Sequence, residues 1–385
     1  MSKTYNQYLS SKPRYEILDG LRGVAAVLVV FFHMLETYSA GPAYQIFNHG
    51  YLAVDFFFLL SGFVIGYAYD DRWDRMTLWG FFKRRLVRLQ PMVIMGTVIG
   101  ACLYFFGQGG FPLIGNVPGW KVLLAFVMGC LMIPCGMKMD IRGWGETNSF
   151  NGPNWSLTWE YLANILYAVV LRRVSKVLLA ILSVAAAFCT LDICLNWNLF
   201  GLLTDEHASN IYTVIGGWSL TPEQIYIGLT RLFYPFLSGL LISRIGMFIK
   251  VKGAFFWCSL ILVVLLSIPC VGGENNIVNG VYNAGCILLL FPIVVMMGAG
   301  SQIASSKSAK FCEFLGEISY PLYITHYPFM YVQMNWVWSH PEAPLYAHLM
   351  VSAGSLILSL CTAYACLKLY DIPVRQWLTE HWLKR

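Results

Sequence analysis

The chain reads as an all-α polytopic membrane protein, and three observations lead there. Its 385 residues are 57% hydrophobic and 16% aromatic but only 12% charged, with a mean hydropathy of +0.60, far from the usage of soluble globular domains. Apolar runs long enough to span a bilayer recur from Val24 to Leu369, and no polar stretch between them would make a separate soluble domain. The net charge of +6 is gathered in clusters at Lys3 to Arg22, Arg72 to Arg88, Arg172 to Lys176, Arg244 to Lys252, Lys307 with Lys310, and Lys368 to Arg385. By the positive-inside rule these segments are cytoplasmic. The loops around Ser39 to Gly50, Asn196 to Pro222, Val271 to Gly280 and Ser339 to Pro344 are poor in Lys and Arg and read as external. The expectation is a multi-pass protein of the cytoplasmic (inner) membrane, with residues 1–385 forming one membrane domain between short cytoplasmic tails over about 1–16 and 370–385.

In order, the predicted spans are Ile17 to Tyr38, Tyr51 to Tyr69, Pro91 to Phe106, Trp120 to Gly136, Trp155 to Leu171, Val177 to Leu195, Ile225 to Ile242, Ala254 to Cys270, Val281 to Ala299, Leu315 to Trp336 and Tyr346 to Leu369. Eleven full crossings would put the two basic termini on opposite sides. Pro91 to Phe106 and Trp120 to Gly136 are both short for a hydrocarbon layer of about 30 Å and flanked by Gly and Pro, so one of them is expected to be re-entrant. With Trp120 to Gly136 as that segment, about ten helices cross, both termini are cytoplasmic, and Met137 to Pro153 becomes an external loop. No small-residue cleavage site follows the first apolar run, so it is not a removable signal. The eleven Cys show no paired or ligand-like spacing and read as small core residues, so no metal site is expected.

Four constellations carry chemistry. Arg22 and His33 are separated by ten residues that are all apolar or Gly, so they share one helix face about 16 Å apart. His33 then sits deep in the membrane, where an ionisable residue is costly unless it faces a partner or a water-filled cavity. Packing against a neighbouring helix is the plain alternative. Arg85 and Arg88, three residues apart, suit bidentate phosphate binding, although a basic membrane anchor has the same pattern. In Asn154-Trp155-Ser156-Leu157-Thr158-Trp159-Glu160, Ser156 and Glu160 share a face four residues apart, and the two Trp suit an interfacial belt or stacking on sugar rings. A capped helix start explains the same residues. Finally, Gly316 to His326 places His326 about 15 Å along a helix, with Tyr323 on the same face and Pro321 arguing for burial in the bundle.

Together these pieces resemble a known family. Leu18-Asp19-Gly20-Leu21-Arg22 leading to His33, Asp55 to Phe63 with Ser61, the Arg85 and Arg88 pair, Trp155-Ser156-Leu157 with Glu160, Ser319-Tyr320 through His326, and Pro373-Val374-Arg375 occur in the order found in the acyltransferase-3 family of integral membrane O-acyltransferases. The resemblance runs from Leu18 to about Leu378. It implies ten membrane helices and transfer of an acyl group, acetyl first among the candidates, from cytoplasmic acyl-CoA to a hydroxyl of an extracytoplasmic or lipid-linked carbohydrate. Some members carry an appended hydrolase domain, and none is expected in this chain.

The expected mechanism uses acyl-CoA as co-substrate, with no permanently bound cofactor. Arg22, Arg85 and Arg88 would hold its phosphates, with Asp19 close by. His33 would act as general base or as the nucleophile of a transient acyl-His. Glu160 would orient His33 or the acceptor, and His326 and Tyr323 would donate to the reacting carbonyl or acceptor. Asp55, Ser61, Trp155 and Ser156 are supporting residues. The external loop from Asn196 to Thr221, with Asp205, Glu206, His207 and Trp218, is the expected place of acceptor specificity. The partners are therefore acyl-CoA, a carbohydrate or glycolipid acceptor and the bilayer, with no nucleic acid. A secondary transporter of an anionic or sugar-linked solute is the alternative, although the span pattern shows no matching halves. A non-catalytic scaffold would leave the charged residues without a role. The acyl group, the acceptor and the oligomeric state are not readable from the residues.

Overall fold

The computed structural model describes residues 12–383 apart from 40–43, 46, 112, 205–209 and 274, and among these described residues every regular element is helical. Lys3 and the loop residues Asp205, Glu206 and His207 lie outside the described residues. The helices are α1 (Glu16–Glu36), α2 (Ala53–Tyr69, entered through a 3-10 turn at Gly50–Leu52), α3 (Leu78–Leu103), α4 (Gly119–Leu131), α5 (Asn154–Val169), α6 (Lys176–Cys194), α7 (Pro222–Ile245) and α8 (Ala254–Ser267). Then come α9 (Ile277–Gly285) and α10 (Phe291–Gly300), joined by a π-helical turn, α11 (Ser306–Thr325), α12 (Tyr327–Ser339), α13 (Leu345–Cys366) and α14 (Ile372–Leu378).

Seven helical stretches among the described residues are long and apolar enough to cross a membrane: 16–36, 50–69, 78–107, 176–194, 222–245, 277–300 and 345–383. The chain is thus a multi-pass membrane protein. The expected count of about ten is larger because α5 has 16 residues and α8 has 14, and because the tenth predicted span is broken at His326 into α11 and α12. The break follows from Pro328, which cannot donate to the preceding turn.

Two predicted segments differ in kind. Pro91 to Phe106 is not a short span but the end of the 26-residue α3, which starts where Thr77 accepts from the Gly80 amide at 3.0 Å. Lys83 to Arg88 therefore lies inside a helix and not ahead of one. By contrast α4, with 13 residues, is short. The segment from Met137 to Pro153 is folded back against the bundle, with Arg142, Glu146, Thr147, Asn148, Ser149 and Asn151 all buried. It can turn inward because the Asp140 carboxylate accepts the amides of Arg142, Gly143 and Gly145 at 2.7–2.9 Å, which satisfies its backbone internally.

Two helix pairs approach at glycines, as expected where dispersion rather than the hydrophobic effect holds helices together. A Cβ at Gly62 of α2 would lie 2.0 Å from the Phe236 carbonyl, and one at Gly239 of α7 would lie 2.1 Å from that of Leu59. On α1 and α11, a Cβ at Gly23 would meet Leu315 at 2.5 Å and one at Gly316 would meet Asp19 at 2.7 Å. The second pair sets the site, because it aligns the helix of Arg22 and His33 with the helix that ends at His326.

Candidate active site

At the far end of α1 from Arg22, His33 Nδ1 lies 2.9 Å from Glu36 Oε2, one turn along the same helix. A carboxylate accepts the Nδ1–H and leaves Nε2 as the basic nitrogen, which is the arrangement that orients a general base. Glu36 was not singled out from the sequence, although its spacing of three from His33 was a legible signal. The His326 ring stacks near-parallel on that of His33 with centroids 5.5 Å apart, and Tyr327 meets His33 edge-on at 4.7 Å. His326 is fully buried; its Nδ1 donates to the Leu322 carbonyl at 3.0 Å, while Nε2 has no hydrogen-bond partner among the described residues. The α11–α12 break produces this geometry by placing His326 between the two helices.

Tyr323, one turn before His326, exchanges a hydrogen bond with Ser156 at 2.8 Å, which ties α11 to the start of α5. Asn151 supports the same junction by donating to the Ile324 carbonyl at 2.7 Å. The α5 start is therefore a buried joint next to the histidines and not a free aromatic belt. Trp155 lies over the Arg231 guanidinium at 5.1 Å.

Glu160 is not at His33. Its Oε1 accepts from Arg85 Nη2 at 2.8 Å and from Ser61 at 2.6 Å, which makes it the holder of an arginine. The reason is geometric: one turn along α5 from Ser156, Glu160 has moved away from the histidines toward the Arg22 end. There Arg22 pairs with Asp19, Arg85 with Glu160, and Arg375 with Asp371 at 3.0 Å. Arg88 stands among Arg22, Arg85 and Arg375 as their electrostatic neighbour. It is accessible to solvent and has no ion pair among the described residues. Four guanidinium groups, three of them held by carboxylates and one without an ion pair among the described residues, have the chemistry that holding a phosphate would need. Arg375, contributed by the last helix, was read from the sequence only as part of a terminal motif.

Asp55 belongs to a separate structure. Its carboxylate is fully buried against Arg231 at 2.8 Å, and Arg231 also donates to the Tyr51 carbonyl at 2.7 Å and the Gly216 carbonyl at 3.3 Å. This pair ties α2, α7 and the segment before α7 together. Tyr331 stacks on Arg142, with the guanidinium 3.6 Å from the ring centroid, and donates to Glu146 at 2.6 Å. Burial pushes the Glu146 carboxyl up to about 7, against the opposing effects of Tyr331 and Arg142. No group of three or more candidate metal ligands occurs among the described residues.

The family model described as an acyltransferase domain matches residues 15–367. Among curated proteins, the chain is 34% identical over 167 residues to protein 2 in the picA locus of Rhizobium radiobacter, a match that covers 41% of this chain and 83% of that one. It is 28% identical over 170 residues to the acyltransferase MdmB of Streptomyces mycarofaciens, covering 43% of this chain and 41% of that protein. A Staphylococcus aureus (strain COL) protein provisionally named an O-acetyltransferase is 25% identical over 348 residues, which is 85% of this chain and 52% of that one. The chain thus spans about half the length or less of the latter two relatives. No solved structure matches it.

Proposed function

The chain belongs to the acyltransferase-3 family, and from that premise we propose that it transfers an acyl group, acetyl in the first instance, from cytoplasmic acyl-CoA to a hydroxyl of an extracytoplasmic or lipid-linked carbohydrate. The observation that carries this reading is the pairing on one helix of an anion site around Arg22 with the His33–Glu36 dyad at the other end.

Arg88, with Arg22, Arg85 and Arg375, binds the phosphates of the donor, and Asp19, Glu160 and Asp371 keep three of these guanidinium groups in place. The pantetheine arm runs along α1 toward His33. His33 Nε2 takes the proton of the acceptor hydroxyl as its oxygen attacks the thioester carbonyl; the C–S bond breaks, and the proton passes to the departing thiolate. Glu36 holds the imidazole and stabilises its charged form. His326, with its bare Nε2 beside His33, accepts a hydrogen bond from the acceptor hydroxyl or from protonated His33.

The topology follows the same reading. With α9–α10 and α11–α12 each counted as one interrupted crossing, α5 and α8 as crossings and α4 as re-entrant, the chain crosses ten times, with both termini in the cytoplasm and the protein in the inner membrane. The test is direct: protein purified in detergent is given radiolabelled acetyl-CoA and membranes carrying acceptor, and label moves into envelope glycan. Binding of CoA without any transfer or hydrolysis would sink the reading.

A further inference from the structure

Acyl transfer needs a hydrogen-bond donor at the thioester carbonyl oxygen, where negative charge develops as the acceptor attacks. Neither side chain expected from the sequence to supply it has a proton to give. A carbonyl can only accept, so the 3.0 Å contact of His326 Nδ1 with the Leu322 carbonyl puts the proton of the neutral ring on Nδ1 and leaves Nε2 an acceptor. The Tyr323 hydroxyl contacts Ser156 at 2.8 Å and the Pro153 carbonyl at 3.4 Å, and Ser156 itself donates to that carbonyl at 3.0 Å. The Tyr323 proton is therefore held within the α5–α11 joint. That of Tyr331 is given to Glu146 at 2.6 Å.

We propose that Tyr327 is the catalytic residue that donates to the thioester carbonyl oxygen. The proposal rests on the acyl-transfer reading and adds the donor that the reading lacks. Tyr327 follows His326 at the α11–α12 break, and its ring meets His33 edge-on at 4.7 Å and His326 at 5.9 Å. The rings are close enough for one reacting carbonyl to lie within reach of both the base and the phenol. Tyr327 is 5% exposed, and its hydroxyl makes no hydrogen bond among the described residues without being sealed from solvent. A nearly enclosed hydroxyl that is uncommitted and still reachable distinguishes Tyr327 from Tyr323 and Tyr331.

The ring is also held in place. Tyr331 meets it edge-on at 4.6 Å, the Arg142 guanidinium lies 3.6 Å from the Tyr331 ring centroid, and a Cβ at Gly152 would come within 3.0 Å of the Tyr327 ring. A donor fixed in this way needs no reorganisation when charge develops. The carboxylates nearby have partners of their own: Glu36 is paired with His33, and Glu146 interacts favourably with Arg142. In the step itself the acceptor oxygen bonds to the thioester carbon while His33 Nε2 takes its proton. The carbonyl oxygen receives the electron pair of the C=O bond and is met by the Tyr327 O–H, which keeps its proton throughout. When the C=O bond re-forms, the C–S bond breaks and the proton on His33 passes to the thiolate.

The experiment uses the full-length protein and Tyr327→Phe, which keeps the ring and, because the hydroxyl has no partner among the described residues, removes no bond from the fold. Transfer from radiolabelled acetyl-CoA to membranes prepared without endogenous enzyme is measured together with CoA affinity and thermal unfolding on the same detergent preparations. Turnover at saturating donor and membranes is expected to fall about 10²- to 10³-fold, the range for removing one such donor. CoA affinity and the half-saturating amount of membranes should stay within twofold of wild type, with the unfolding temperature unchanged. Near-normal turnover, or a loss matched by lost CoA affinity or lost stability, overturns the role of Tyr327 while leaving acyl transfer by the wild type intact. Wild-type protein that binds CoA but transfers nothing would defeat the acyl-transfer reading, and the role of Tyr327 with it.

Discussion

His33 and Glu36 sit one turn apart on α1, with the imidazole Nδ1 2.9 Å from the carboxylate Oε2. An aligned carboxylate makes the ring both oriented and basic, so its loss should be felt in the chemical step alone. Glu36→Gln keeps the shape but removes the charge. Transfer is expected to fall by at least about 10-fold, part of the 10²- to 10⁴-fold that a positioned base contributes, with CoA affinity unchanged. An equal loss of CoA affinity would place Glu36 in the donor site.

Glu160 is expected to behave in the opposite way. Because it holds Arg85, Glu160→Gln should weaken CoA binding in the manner of Arg85→Ala, each charge-assisted bond being worth about 1.5 to 3 kcal/mol. Titration of the purified variants with CoA checks this. Normal CoA affinity with impaired turnover would return Glu160 to the histidines.

The two expectations mark what the residues disclosed and what they did not. The α1, α2 and α6 boundaries agree with the predicted spans to within about two residues, because uninterrupted apolar periodicity bounded by polar residues is a local property. The Arg22 to His33 spacing was legible for the same reason. The partner of Glu160 was not, since it depends on how α5 packs against α3, and Ser61 and Arg85 are 99 and 75 residues away in sequence. Arg375 was hidden in the same way. The inward fold of Met137 to Pro153 was hidden by composition: charge and Gly suggested solvent, whereas Asp140 and Arg142 spend that polarity on the segment's own backbone.

The Asp55–Arg231 pair should be structural. Both side chains are almost completely buried, so Asp55→Ala leaves an uncompensated charge and is expected to cost about 3 to 5 kcal/mol of stability. Thermal unfolding in detergent reads this loss. A variant of normal stability but without transfer would make Asp55 a functional residue.

Glu146 gives a pH dependence with a definite sign. Its carboxyl is raised from 4.5 to about 7 in the folded protein, so folding favours the protonated form. The stabilisation is full below about 4.5 and is lost as pH rises through about 7. Wild-type protein should therefore unfold at a lower temperature at pH 8 than at pH 5, and Glu146→Gln should flatten that part of the profile. An identical slope in the variant would remove Glu146 as its source.

In the proposed mechanism His33 performs the chemistry while the arginines at the other end of α1 hold the donor. Transfer and CoA binding measured together on detergent-purified His33→Gln test it most directly. The expected result is a fall in transfer of about 10²- to 10⁴-fold with CoA affinity within twofold of wild type. Near-normal transfer would contradict it, because glutamine retains a hydrogen-bonding reach sufficient for packing but has no basic nitrogen, and the role of base would pass to His326.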